Sequence, residues 1–260
     1  MTFLKTILKV CAEKGKNDEL TLGSALMQKF KLENANGYVV FKANGKNVLV
    51  DTGSPITFAA KKGECVEICG EKCEPSVGVL TAIAQTSGMV PDFSKLTKLM
   101  GRELSFLLGN DVLSKYKILI DVPKGEIAFD TEDIAFDGSE IKLEHTNGYI
   151  LVRMNVNGRK SKVILDTGVL MSYLSNYYLK GCFVTSTFDD YSPIYGRIHS
   201  DVFLVPVIFG GKKLELDCGK MSDSLYFQAD VVNAGGFIGC RVIRDRRMLV
   251  DIGNGVVKIA

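Results

Sequence analysis

The sequence is poor in histidine, on which several common catalytic and metal sites depend. It contains only two histidines, His145 and His199, among 260 residues. A zinc site usually draws on histidine as well as cysteine, and a serine nucleophile usually needs a histidine as its base. Ser54 closely follows an aspartate, but no Gly-x-Ser-x-Gly pattern surrounds it. We therefore predict no metal centre, no serine nucleophile and no cofactor.

The seven cysteines are an odd and irregularly spaced set, which argues against a secreted disulfide framework. Cys65, Cys69 and Cys73 are spaced by four, so on a helix they would line one face. Because no fourth ligand lies nearby, we interpret them as small, half-buried residues. Residues 1–12 are interrupted by lysines and lack a signal-peptide cleavage pattern. Together these features predict a cytoplasmic protein.

Neither charge nor hydropathy indicates nucleic acid or a membrane as partner. The sequence has 32 basic and 30 acidic residues, so it lacks the positive excess that attracts polyanions. Residues 241–247 contain four arginines, but Asp245 lies among them and the segment is typical of a solvated helix face. No apolar run reaches the length of a transmembrane helix. The 46% of apolar residues is enough for a globular core.

What the sequence does contain is an internal repeat. Residues 31–38 (KLENANGY) match residues 142–149 (KLEHTNGY), 111 positions later. After each copy come an apolar strand pattern and an Asn-Gly pair, at 44–45 and at 157–158, which predict tight β-hairpin turns. The strand that returns from each turn leads directly into Asp-Thr-Gly.

A third matched segment closes each half of the chain. Residues 107–129 align with residues 237–259 without a gap, and both predict a short helix, a strand, a glycine turn and a final strand. Matched segments in the same order indicate a duplicated unit. We place an N-terminal segment at 1–23, a first lobe at 24–134 and a second lobe at 135–260. The N-terminal segment is either a short prosegment or an ordinary first strand or helix. Short strands dominate, so we predict a mainly β fold with brief helices near 110–116 and 240–246.

Two Asp-Thr-Gly turns at equivalent points of a duplicated unit predict a pair of carboxylates. If the halves pack about an approximate two-fold axis, Asp51 and Asp166 face each other across it. Two carboxylates that share a site hold one proton between them. One can then act as general base on a water molecule while the other, protonated, polarises a substrate carbonyl. No metal or covalent intermediate is needed.

The residues that follow each aspartate have expected supporting roles. Gly53 and Gly168 would let the backbone turn tightly and direct its N–H groups to the carboxylates. Thr52 and Thr167 would form hydrogen bonds across the junction of the lobes. The alternative for the threonines is that they only cap their own turns.

These motifs resemble those of the aspartic proteases of the pepsin and retropepsin clan. In that clan two apolar residues precede Asp-Thr-Gly, and later two apolar residues precede a glycine. Here the pattern occupies residues 49–54 with 107–109, and residues 164–169 with 237–239. The resemblance implies two closed, psi-type β barrels related by a pseudo-two-fold axis, with short helices and a cleft for an extended peptide. The short lobes make the chain similar to two retropepsin-like units fused in tandem.

The resemblance also implies flap hairpins midway between each Asp loop and the closing glycine. The first would cover residues 75–83, including Gly78. The second would cover residues 192–199, where Tyr195 and Gly196 are similar to the Tyr-Gly of a pepsin flap. An exposed hairpin tyrosine is the alternative for Tyr195.

One departure from the clan's pattern follows the second turn. Val169 stands where the clan usually has a small or hydroxyl residue, as Ser54 is in the first turn. A hydrogen bond from the Ser54 hydroxyl to Asp51 would therefore have no counterpart at the second aspartate, which predicts an asymmetric pair.

The sequence thus predicts an aspartic endopeptidase, acting as a monomer on extended peptide or protein substrates. Two alternatives stay open. The chain could be a non-catalytic relative whose cleft binds peptides or proteins without cutting them. It could also be a scaffold protein that keeps the Asp-Thr-Gly turns for folding alone.

Overall fold

The structure is a computed structural model that describes residues 27–78, 81–82, 90–192 and 196–260. The strands are β1 (Gln28–Lys31), β2 (Val40–Ala43), β3 (Lys46–Val50), β4 (Phe58–Ala59), β5 (Val66–Ile68), β6 (Glu71–Cys73), β7 (Phe106–Leu108), β8 (Lys117–Asp121), β9 (Glu126–Asp130), β10 (Ser139–Thr146), β11 (Tyr149–Val156), β12 (Arg159–Leu165), β13 (Ser172–Leu174), β14 (Val184–Ser192), β15 (Gly196–Phe209), β16 (Lys212–Lys220), β17 (Gly236–Ile238), β18 (Arg247–Asp251) and β19 (Val256–Ile259). The helices are α1 (Phe93–Met100), α2 (Asn110–Leu113), α3 (Asn176–Leu179), α4 (Asp223–Val231) and a 3₁₀ turn (Cys240–Ile243). The predicted mainly β class is confirmed, while the predicted segment 1–23 and Tyr195 lie outside the described residues.

The described strands form three sheets. The largest has thirteen strands in the order β1-β9-β8-β18-β19-β10-β11-β12-β17-β13-β16-β15-β14. A second sheet has the order β2-β3-β7-β4, and the third is the pair β5-β6. Whether each half closes into a psi-type barrel stays a prediction.

The same local arrangement surrounds both Asp-Thr-Gly turns. Strands β2 and β3 form an antiparallel hairpin, and β3 runs parallel to β7, which is antiparallel to β4. In the second half β11 and β12 form the hairpin, β12 runs parallel to β17, and β17 is antiparallel to β13. Asn44, Gly45, Asn157 and Gly158 all have positive φ, as a two-residue hairpin turn of the predicted kind requires.

A strand from each half pairs within the largest sheet, where β8 and β18 are the third and fourth of its thirteen strands. Strands β8 and β18 are antiparallel, with Leu119 opposite Leu249 and two residue pairs on either side. These two leucines are equivalent positions of the sequence repeat, so the pairing is reciprocal, as an approximate two-fold axis requires. The internal duplication and the lobe boundaries stay predictions.

The buried apolar side chains of the described residues form one large core and two smaller clusters. The large core runs from Val39 to Ile259 and draws on both halves of the chain. One smaller cluster packs α1 against the first half through Leu96 and Met100. The other packs α4 against the second half. The strands that lead to the two Asp loops contribute to both kinds of cluster, since Val50 and Leu165 belong to the large core while Leu49 and Ile164 belong to the smaller ones.

The structure contains more helices than predicted, and it confirms the interpretation of Cys65 and Cys69 as half-buried residues, while Cys73 is fully buried. Helices occur at the two predicted places, but α1, α3 and α4 occur as well. Cys65, Cys69 and Cys73 lie on or beside the β5–β6 hairpin and not on a helix. Cys69 and Gly70 have positive φ, because the chain reverses there in a tight turn.

Six of the seven cysteines fall within the described residues, and all six are free thiols. No described helix has both the length and the apolar character needed to cross a membrane.

Candidate active site

Each catalytic candidate begins the loop that leaves a strand beside the closing apolar-apolar-Gly segment. The N–H of Asp51 donates to the carbonyl of Leu108 at 3.0 Å. The N–H of Asp166 donates to the carbonyl of Ile238 at 2.9 Å. Both aspartates are therefore held by the parallel ladders β3–β7 and β12–β17 up to the residue where the turn starts.

The structure brings the carboxyl groups of Asp51 and Asp166 together, and a hydrogen bond joins the two side chains. Each carboxyl group also lies directly over the glycine of the opposite turn. A Cβ atom on Gly53 would overlap the carboxyl group of Asp166, and a Cβ atom on Gly168 would overlap that of Asp51. Only glycine leaves room for this approach, so the two glycines set how close the carboxylates can be.

Backbone N–H groups hold each carboxylate in place. The N–H of Gly53 donates to Asp51 Oδ1 at 3.0 Å, and that of Gly168 donates to Asp166 Oδ1 at 2.9 Å. The expected bond from the Ser54 hydroxyl to Asp51 is wrong, because that hydroxyl donates to the carbonyl of Ile56 at 2.7 Å.

The asymmetry expected from Val169 is therefore not produced by this hydroxyl. The backbone N–H of Ser54 bonds to the carboxylate of Asp51, and the backbone N–H of Val169 does the same for Asp166. A valine serves as well as a serine at this position because only the main chain takes part.

Thr52 and Thr167 cross-link the two turns. The Thr52 hydroxyl donates to the carbonyl of Leu165 at 2.8 Å, and the Thr167 hydroxyl donates to the carbonyl of Val50 at 2.6 Å. Each hydroxyl oxygen also accepts the N–H of the other threonine, at 3.1 Å and 3.0 Å. All four bonds are buried, so they fix one loop relative to the other rather than cap a single turn.

A second pair of supporting residues was missed in the sequence. The Asn110 side chain donates to the carbonyl of Thr52 and to that of Gly148, both at 2.8 Å. The thiol of Cys240 donates to the carbonyl of Thr167 at 3.0 Å. Asn110 and Cys240 occupy equivalent positions just after each closing glycine, so the gapless alignment of the third repeat segment could have indicated them.

Burial raises the pKa of both aspartates. For Asp166 burial is the largest cause and raises the pKa to about 6, against the lowering effect of the Gly168 N–H. For Asp51 burial is again the largest cause, followed by the negative charge of Asp166, and the pKa lies well above its usual range. The pair therefore holds one proton around neutral pH.

A small cavity of about 30 Å³ adjoins the two carboxylates. Its wall is mostly apolar and comes from both halves: it is lined by Phe58, Pro91, Leu107, Val169, Leu225 and Gln228, besides the residues of the two turns. This volume is enough for a water molecule, which needs roughly 15 Å³ or more by this kind of measure.

Of the predicted flap residues the structure describes Gly78 and Gly196, whereas Tyr195 and residues 79–80 and 83 of the first predicted flap lie outside the described residues. Gly78 is exposed and lies outside the described strands, with open space around its α-carbon. Ser192 pairs with Gly196 in the antiparallel β14–β15 ladder, so the described ends of the second predicted flap belong to these two strands. Within the described ranges no group of three or more His, Cys, Asp or Glu side chains could hold a metal ion.

The fold is that of the pepsin-like aspartic proteinases. The structure of an aspartic proteinase from Irpex lacteus matches with a TM-score of 0.51 over 90% of this chain and 97% of that chain, at 11% identity. Likeness at this level defines the fold, and it confirms the fold that the sequence motifs predict. The activity must be argued from the site.

Two other solved structures match with lower TM-scores. Basic 7S globulin from soybean matches with a TM-score of 0.47 over 90% of this chain and 94% of that chain, at 11% identity. A retropepsin-like aspartic protease from Rickettsia conorii matches with a TM-score of 0.33 over 48% of this chain and 96% of that chain, at 15% identity. No protein-family model and no curated protein sequence matches the chain.

Proposed function

We propose that the protein is an aspartic endopeptidase in which Asp51 and Asp166 activate a water molecule for attack on a peptide bond. The observation that carries this proposal is the pair of buried, mutually hydrogen-bonded carboxyl groups beside a water-sized cavity. A buried pair with raised pKa values provides a base and an acid at the same pH.

The reaction needs only these two groups and the water. The ionised carboxylate takes a proton from the water as its oxygen attacks the carbonyl carbon, and the protonated carboxyl group donates a hydrogen bond to the carbonyl oxygen. The resulting tetrahedral intermediate collapses when the leaving nitrogen accepts a proton from the pair. The N–H groups of Gly53 and Gly168 keep both carboxylates oriented throughout.

The cavity wall favours an apolar residue next to the cleaved bond. Phe58, Leu107 and Leu225 offer apolar surface beside the carboxylates, and Gln228 is the polar exception. A volume of about 30 Å³ admits water but no peptide, so the lining elements must separate when an extended substrate enters. We expect α4, which carries Leu225 and Gln228, to be one of the elements that move.

A second candidate function is the binding of a peptide or protein without cleavage. The same site between the halves could hold an extended chain without the carboxylates acting on it, because a fold does not by itself fix the function of its site. The two candidates differ in one property: only the enzyme turns its ligand over.

The test is cleavage of a denatured protein library between pH 3 and 8. We expect activity to fall below about pH 6, where the second carboxyl group of the pair becomes protonated. Asp51→Asn and Asp166→Asn should each lower the rate by at least about 10²-fold, while the exposed Asp137→Asn serves as control.

Activity that survives both substitutions would rule out the carboxylate pair. A statine-type transition-state analogue should inhibit the enzyme. Binding of the analogue or of a peptide without any turnover would instead support the binding protein.

A further inference from the structure

A third buried carboxylate, Asp190 in β14, lies near the catalytic pair. Its exposed fraction is 3%. The hydroxyl of Tyr173 donates to Asp190 Oδ2 at 2.7 Å, and the hydroxyl of Tyr38 donates to Oδ1 at 3.3 Å. A carboxylate is seldom buried unless its oxygens are satisfied by hydrogen bonds or charges. The hydrolytic step does not need this cluster, so we infer that Asp190 and the two tyrosines have a role other than catalysis.

The two tyrosines come from opposite halves of the chain. Tyr38 immediately precedes the β2–β3 hairpin that leads to Asp51. Tyr173 lies in β13, the strand that follows the Asp166 turn. Burial, together with the negative charge of Asp190, raises the pKa of both phenols far above the usual range, so both remain hydrogen-bond donors.

Asp190 lies on the inward face of a long hairpin. In the β14–β15 pair it stands opposite Ile198, which is buried in the same cluster as Tyr173. The neighbouring Asp189 lies on the outward face, where its exposed carboxylate contacts His199. One face of the hairpin therefore packs against the second half of the molecule, and Asp190 is a polar contact from that face to the first half.

The negative charge of Asp190 also interacts with Asp166 of the catalytic pair. It is among the causes that raise the pKa of Asp166, after burial. The other titratable or charged groups around it come from several elements, and among the described residues they include Tyr38, Tyr173, the buried thiol of Cys240 and the guanidinium of Arg241. With the phenols and the thiol neutral, the carboxylate is the negative charge of this cluster.

We propose that Asp190 is a positioning residue that fixes the β14–β15 hairpin to both halves of the molecule beside the catalytic pair. The assignment rests on the proposed peptidase function. In an enzyme whose substrate lies between the halves, a hairpin tied to Tyr38 and Tyr173 has a defined position when the peptide binds. Its carboxylate also acts on the proton equilibrium of the pair through space.

The first test is hydrogen–deuterium exchange of the β14 and β15 amides in the full chain. Asp190→Asn should increase exchange in this hairpin by roughly tenfold, which corresponds to the loss of about one hydrogen bond to a charged group. Asp189→Asn is the matched control, because it removes a carboxylate from the next residue of the same strand on its exposed face. Equal exchange in the two variants would overturn the proposal.

The second test is the pH dependence of peptide cleavage. Asp190→Asn removes a negative charge near Asp166, so the acidic limb of the profile should move to lower pH, and KM should rise as the hairpin loosens. Tyr38→Phe keeps the charge and removes the contact to the first half. It should increase exchange in the hairpin and leave the acidic limb in place.

The two proposals fail in distinguishable ways. If the protein cleaves no peptide, the exchange experiment alone decides the role of Asp190. If the protein cleaves peptides but Asp190→Asn matches Asp189→Asn in exchange, KM and pH profile, the peptidase stands and the positioning role of Asp190 is overturned.

Discussion

The burial of Asp51 and Asp166 makes the stability of the protein depend on pH in a direction opposite to that of most carboxylates. The folded state keeps the proton of Asp166 up to about pH 6, whereas an unperturbed aspartate loses it near 3.8. Between these values the folded state binds more protons than the unfolded state. The stability is therefore fully present below the lower pKa and is lost as pH rises through the higher one.

Replacing Asp166 by asparagine should recover this loss. A difference of about 2 pKa units corresponds to about 3 kcal/mol, so Asp166→Asn is expected to raise the free energy of unfolding at pH 8 by up to this amount and to change it little at pH 3.5. Urea unfolding of both proteins at the two pH values measures the effect. If the variant is no more stable at pH 8 than the Asp137→Asn control, ionisation of the buried Asp166 does not destabilise the folded state, and its pKa is not raised as proposed.

At the scale of elements, the two turns act as one unit because each threonine hydroxyl bonds to the other loop. Removing the Thr167 hydroxyl leaves the carbonyl of Val50 and the N–H of Thr52 buried without partners. Each such group costs about 1–3 kcal/mol. We expect Thr167→Ala to lower the free energy of unfolding by about 3 kcal/mol and Thr167→Ser, which keeps the hydroxyl, to be close to the wild type.

Chemical denaturation of the two variants measures this difference. A peptidase assay adds a second readout, since a loosened pair of loops should lose activity even under conditions where Thr167→Ala is folded. Equal stability of the alanine and serine variants would show that the cross-link contributes nothing.

The elements that the sequence predicts best are those whose signals are local. The Asn-Gly turns, the strands before each Asp-Thr-Gly and the two strands that end each half follow from short patterns repeated in both halves. Helix α1 also has local signals, with Asp92 capping its first turn and Gly101 ending it in the left-handed conformation. These capping residues are therefore sufficient to predict α1 from the sequence, although it was not among the predicted helices.

The burial of Asp190 and the contacts of Ser54 could not be predicted in the same way. Asp190 follows the exposed Asp189 in a strand rich in polar residues, a pattern that predicts a solvent-facing side chain. It is a buried acceptor because Tyr173 and, from a segment 152 positions away, Tyr38 donate hydrogen bonds to its carboxylate. The direction of the Ser54 hydroxyl is likewise set by a nearby carbonyl that the motif does not specify.

At the scale of the whole molecule, neither Asp loop is complete without the other half of the chain. The threonine cross-link, the bond from Asn110 to Gly148 and the contact of Tyr38 with Asp190 all join the two halves. The β8–β18 pair and the large core add a continuous apolar connection beneath them. Assembly of the carboxylate pair and folding of the chain are therefore coupled.

This coupling predicts a single cooperative unfolding transition rather than one for each predicted lobe, since separate transitions require halves that are stable alone. Calorimetry should give equal calorimetric and van't Hoff enthalpies for the wild type.

Ile118→Ala removes a fully buried side chain from the strand that pairs with β18, at a cost of about 3 kcal/mol. It should lower Tm while keeping one transition, because the damage falls on the sheet that both halves share. A variant that splits into two transitions would mean that the halves fold independently and that the pair forms only when they dock.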